Sequence, residues 1–271
     1  GTAINLFHKN MPRYSVDIDI TYTPIESREM SLKAINSKLL EVKQSIEKSI
    51  PGCKVVHKPN VWKLLCTYEE AMVKIEVNGT KRGIIGYTVD MPLCEKARAE
   101  FSMGCKARTV SFSQLYGGKI TAALSRQHPR DLFDCKYMNV DSFNLVKDGF
   151  MLCLLGSDKP LIESLQPNNI DQTDALENQF AGMSDIPFEY TDYLSARIAL
   201  LDMVNSSLTD TDKEFLLSFE MGEPDWDKCS IDDLSKYPSV QWKLLNIDTL
   251  KKSNIKKFNQ GIIKLRTYLG K

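Results

Sequence analysis

From Tyr14 to Tyr22 the chain alternates, with Val16, Ile18 and Ile20 on one side and Asp17, Asp19 and Thr21 on the other. A period of two marks a half-buried strand, so the pattern predicts an apolar core face and an acidic exposed face. Ala3, Ile4, Leu6 and Phe7 upstream predict a short helix over residues 3–9, broken by Met11-Pro12-Arg13. Downstream, Leu32, Ile35, Leu39, Val42 and Ile46 recur at steps of three and four. They predict an amphipathic helix over residues 31–50, with Ser31 as N-cap and Pro51-Gly52 as its end. Strands are predicted over residues 53–57, 61–67, 72–77 and 84–89, with Asn78-Gly79 as a tight reversal. A further extended piece covers residues 107–112.

From Ser113 onward the texture is helical. Helices are predicted over residues 113–125, 130–138, 143–155, 160–165, 173–180, 191–206, 210–219, 231–237, 240–245 and 248–269. The layout is α+β: a mixed α/β domain over residues 1–140 and a helical C-terminal domain over 141–271. The boundary is expected between residues 138 and 150. Composition agrees with a folded protein, since 42% of the 271 residues are hydrophobic and 26% charged. Net charge is zero, from 35 basic and 35 acidic residues, so the basic excess of a non-specific nucleic-acid binder is missing. The charges are uneven locally. Residues 207–236 hold nine acids and three bases, and residues 247–271 hold seven bases and one acid. Pairing within the domain explains this; the competing reading is that the basic helix meets an RNA backbone or an acidic partner.

The seven cysteines are odd in number, and no two lie within four residues of each other. That excludes an evident disulfide framework or zinc-finger spacing and leads to the expectation of buried thiols in a reducing cytoplasm. No apolar run suits a membrane helix, and no charged-then-apolar leader opens the chain. Cytoplasmic localisation without membrane contact is therefore expected, and the Asn78 and Asn205 sequons read as chance matches. The chain opens Gly1-Thr2-Ala3-Ile4 without Met, which leads to the expectation that an upstream segment has been removed.

Candidate chemistry begins on the acidic strand. Asp17 and Asp19 share a face about 7 Å apart, where two carboxylates repel unless a cation bridges them. Mg2+ suits such a pair, because it takes a few carboxylates and fills its shell with water and substrate phosphates. Gly1-Thr2 precedes the pair at a helix start, where small residues let backbone N–H groups approach a phosphate. Glu76, between apolar neighbours on a later strand, is a candidate third carboxylate. Phosphoryl and nucleotidyl transfer commonly use two cations about 4 Å apart held by such groups. Glu76 could ligate a metal or accept the attacking hydroxyl's proton. A second cluster is Gly118-Lys119 followed by Arg130-Asp131-Leu132-Phe133-Asp134. Lys119 suits a triphosphate, although Ser113 replaces the first glycine of a P-loop. The Arg130, Asp131 and Asp134 cluster reads equally as an active site or as a helix cap with salt bridges. His8, His57 and His128 show no metal-ligand spacing, and Trp62, Trp226 and Trp242 read as core or domain contacts.

The segment from Gly1-Thr2-Ala3-Ile4-Asn5-Leu6 to Arg13-Tyr14-Ser15-Val16-Asp17-Ile18-Asp19 resembles the opening of the AbiEii/AbiGii toxin family, lacking only its first glycine. The run Gly118-Lys119 … Arg130-Asp131-Leu132-Phe133-Asp134 resembles that family's second block. Together they cover residues 1–138. The resemblance implies a DNA polymerase β-type nucleotidyltransferase fold, a mixed sheet with flanking helices. It implies an enzyme of EC 2.7.7 type that moves a nucleotide from an NTP to an RNA (tRNA) or protein acceptor with Mg2+ or Mn2+. Asp17 and Asp19 would bind metal; Gly1, Thr2, Ser15, Lys119 and Arg130 would contact the nucleotide; Asp131 would be a further essential acid. Glu76 and Asp131 both stand as the third carboxylate. The family's members act as type IV toxins in abortive infection, in the bacterial cytoplasm, beside a cognate antitoxin that forms no stable complex with them. The rival readings are an inactive nucleotide-binding module, favoured by a missing third carboxylate near Asp17, and a metal-dependent nuclease.

Overall fold

The computed structural model describes residues 1–138 and 140–271. Two compact units divide the chain, Gly1–Val110 and Ser111–Lys271. The expected boundary near residue 140 lies some thirty residues downstream of this division, and Asn139 there lies outside the described residues. The helices carrying Lys119 and Asp131 pack with the C-terminal helices, which places the division before them.

The first unit opens on a π-helical turn, Ile4–His8. Met11, Leu93 and Ala97, with Leu6 and Phe7 against them, form a small core beside it. β1 (Ile18–Ile20), β2 (Lys54–Lys58), β3 (Lys63–Tyr68) and β4 (Ala71–Val77) make a mixed sheet in the order β1-β4-β3-β2. β1 runs parallel to β4, and the other pairs are antiparallel. Helix α1 (Arg28–Ser49) covers one face. Its Ile35 and Leu39 pack on Val55, Leu64, Cys66, Ile75 and Val77. The N-cap of α1 lies four residues before the predicted one. Ser27 takes the cap by accepting from the Met30 N–H, and Ser31 is buried instead, in contact with the Arg82 guanidinium.

The acidic strand is shorter than predicted, and its apolar face is not a core face. Ile18 and Ile20 pair with Ile75 and Val77 and so share the side that α1 covers, yet they remain 41% and 40% exposed. α1 lies over β2 and β3, which leaves the edge strand β1 uncovered. The expected strand over residues 84–89 is a loop up to β5 (Val89–Pro92), because Gly83 and Gly86 adopt positive φ and turn the chain. β5 pairs with β6 (Lys106–Thr109), and α2 (Glu95–Phe101) between them escaped the pattern.

The second unit contains α3 (Phe112–Arg126), α4 (Pro129–Lys136), α5 (Lys147–Leu155), α6 (Leu161–Leu165), α7 (Thr173–Gln179), α8 (Tyr190–Ser207), α9 (Asp210–Glu220), α10 (Pro238–Ser253) and α11 (Ile255–Leu269). Residues 231–237 keep only a 3-10 turn, Leu234–Lys236, behind Asp233 at positive φ. The predicted helix over 248–269 is broken at Asn254, whose side chain caps α11 by accepting from the Lys257 N–H. Trp226 packs on Phe215 and Phe219, whereas Trp242 is exposed. Lys271 pairs with Asp210 and Glu214, and Lys251 with Glu223, so part of the basic tail is spent on the acidic segment. No helix of the described residues is long and apolar enough to cross a membrane.

Candidate active site

In the first unit the chain's opening folds against the acidic strand. Thr2 Oγ1 lies 3.0 Å from Ser15 Oγ and donates to the Asp17 carbonyl. A Cβ on Gly1 would come within 3.0 Å of Ser15 Oγ, so glycine permits this close approach. Gly1, Thr2 and Asp17, singled out from the sequence, and Ser15, implied by the family resemblance, are therefore neighbours.

The parallel register places Asp19 beside Glu76. Paired residues project to the same face of a sheet. Residues 74 and 76 of one strand also share a face, the one opposite α1. Asp17 reaches that face from the residue before β1, since its carboxylate lies 3.4 Å from Lys74 Nζ. Lys74 Nζ is also 3.5 Å from Glu76, and Lys63, opposite Glu76 on β3, is 3.2 Å from it. Three carboxylates and two ammonium groups thus share the open face. Burial alone would lower the Lys74 pKa, but the Asp17 and Glu76 carboxylates outweigh it and raise it.

Among the described residues, no group of three or more His, Cys, Asp or Glu could hold a metal ion by itself. The donor chemistry still fits Mg2+ or Mn2+, which takes hard oxygens from one or two carboxylates and completes its shell with water and triphosphate. Lys74 already places a cationic group against Asp17 and Glu76, a sign that this face favours positive charge.

In the helical unit α3 and α4 form a buried ionic knot. Lys119 Nζ sits 2.8 Å from Asp131 and 2.9 Å from Asp134, with its side chain 8% exposed. Exposed Arg126 reaches the other Asp131 oxygen at 2.8 Å. Burial opposes charge on Lys119, but the Asp134 and Asp131 carboxylates raise its pKa, so it stays protonated. Burial would raise the Asp131 carboxyl; Lys119 and Arg126 hold it below its ordinary value. The neighbouring Tyr116 phenol is pushed up to about 12, by burial first and Asp134 second. Arg130 contributes its backbone N–H to the α4 cap, donating to His128 Nδ1 at 3.2 Å.

Gly117, two residues before Lys119, has a packing role. A Cβ there would lie 2.1 Å from the Phe150 backbone nitrogen, and one on Gly149 2.0 Å from the Ser113 carbonyl oxygen. The two glycines let α3 and α5 cross at backbone contact.

A family model described as nucleotidyl transferase AbiEii toxin, type IV TA system, matches residues 1–245, through both units. The chain belongs to this family. AbiEii membership makes it a nucleotidyltransferase of the type IV toxin class, with an NTP substrate and an antitoxin partner. Among solved structures, MenT4, a nucleotidyltransferase toxin from Mycobacterium tuberculosis H37Rv, is similar at 15% identity with a TM-score of 0.59. The match covers 91% of this chain and 82% of MenT4, and it supports the nucleotidyltransferase fold. No curated protein matches the chain.

Two site neighbours in this AbiEii chain escaped the sequence reading, Lys63 and Lys74. Their signal was present for Lys74, two residues before Glu76 on the same strand face. Lys63 had none, because only the β3–β4 register sets it opposite Glu76.

Proposed function

We propose that this chain transfers a nucleotide from an NTP to an RNA (tRNA) or protein acceptor, with Asp17 and Asp19 holding a divalent cation. The observation that carries the reading is the alignment of Asp17, Asp19 and Glu76 on one open sheet face, beside Gly1, Thr2 and Ser15. Glu76 is the better third carboxylate. It adjoins Asp19 in register, whereas Asp131 is committed to Lys119 and Arg126. A third acid next to the pair also argues against an inactive binding module. A bound cation would supply charge neutralisation at the triphosphate and a lowered pKa for the attacking hydroxyl. The protein's part is to fix the carboxylates on a rigid sheet and to offer the Ser15 hydroxyl to phosphate oxygens, with Thr2 holding the Asp17 backbone. The family block assigns Lys119 and Arg130 to the nucleotide, although the Lys119 ammonium is 8% exposed and held by Asp131 and Asp134.

The test incubates the protein with each labelled NTP, total RNA and total protein, comparing wild type with Asp17→Ala/Asp19→Ala. Transfer by wild type alone is expected. Absence of transfer by wild type under every condition would falsify the reading, and label transfer by the double variant would remove these two residues from it.

A further inference from the structure

The open sheet face carries more carboxylates than its surroundings readily tolerate. Asp17, Asp19 and Glu76 lie within the spacing of two adjacent strands, and like charges so placed repel. The chain answers with its own cations. Lys74 bridges Asp17 and Glu76 at 3.4 and 3.5 Å, and Lys63 closes on Glu76 at 3.2 Å. All four side chains are about one-third to one-half exposed, so water and ions reach them. A divalent cation coming to these carboxylates meets the Lys74 ammonium as a like charge. A triphosphate arriving with that cation brings several negative charges, and an ammonium displaced from Asp17 then has phosphate oxygens within reach.

We infer that Lys74 is a resident counter-ion that exchanges partners, neutralising Asp17 and Glu76 before the substrate binds and pairing with the triphosphate once a cation has taken the carboxylates. This positioning role rests on the reading that Asp17 and Asp19 hold the cation. It has a consequence that a lysine merely bracing the sheet lacks. Removing the ammonium should move two affinities in opposite directions, because Lys74 competes with the bare cation and assists the nucleotide.

The experiment measures Mn2+ binding by electron paramagnetic resonance, first alone and then with α,β-methylene analogues of the four NTPs, which cannot be transferred. Lys74→Met is expected to bind Mn2+ alone about fivefold more tightly and the nucleotide about fivefold more weakly, the upper range for one exposed ion pair. Lys74→Arg should restore both affinities, and Lys74→Gln repeats the comparison should the Met variant fold poorly. Wild type that binds Mn2+, with both affinities falling or neither moving in the variants, overturns the exchange while leaving the metal reading intact. Wild type that binds no Mn2+ in either condition overturns the metal reading, and the inference falls with it.

Discussion

Lys119 shows what burial does to a single charge. Its ammonium is almost sealed from water, yet it stays charged because two carboxylates lie within 2.9 Å. Removing one member of such a group leaves the others charged and unpaired, which costs about 3–5 kcal/mol. Lys119→Met is therefore expected to lower the melting temperature markedly as well as reduce transfer. An unchanged thermal melt would show that the knot does not hold the helical unit together. The sequence brought Lys119, Asp131 and Asp134 forward as one charged block and left cap, salt bridge and active site open. The pairing was not legible, because which oxygen meets the ammonium depends on how α3 lies against α4.

At the scale of elements, glycine has opposite values in two helices. Alanine in place of glycine in a helix interior gains about 1 kcal/mol from propensity. At Gly117 that gain is outweighed, since the added Cβ would meet the Phe150 backbone at 2.1 Å, where no side chain can move aside. Overpacking of this kind costs about 1–3 kcal/mol or more. Gly117→Ala should lose about 2 kcal/mol net in urea unfolding. Gly261→Ala in α11, with nothing within 4 Å of the new Cβ, should hold or gain stability. Equal behaviour of the two would refute the close crossing of α3 and α5. Element identity was largely legible, because periods of two and 3.6 survive in the sequence. The strand over residues 84–89 and the unbroken helix over 248–269 failed where backbone conformation intervened, at Gly83, Gly86 and Asn254. Ile18 and Ile20 failed differently: alternation marks a face, but only sheet order shows that the face lies at an uncovered edge.

At the scale of the molecule, stability against acid is concentrated in the helical unit. Burial alone would raise the carboxyls of Asp131 and Asp212. Lys119 and Arg126 for the first, and Thr209 and Lys147 for the second, lower them below the ordinary 3.8. A carboxyl lowered in the fold contributes stability that is complete above its unfolded value and drains as pH falls through its folded one. Lys119, raised in the fold, contributes below 10.5 and is lost as pH rises through its folded value. Glu220, raised by burial, runs against the two aspartates. Melting temperature should fall as pH drops below about 4, and Asp131→Asn should flatten part of that limb. An unaltered slope would show that Asp131 is not among the groups that titrate. By itself the sequence determined most element types, the α+β layout and the family, and it put forward the candidate site residues, because periodicity and short motifs are local properties. Only the tertiary structure decided that the chain divides at Val110, that Glu76 stands beside Asp19, and that Lys74 and Lys63 face the acids. Strand register and helix packing join residues dozens of positions apart, and no local pattern encodes that distance.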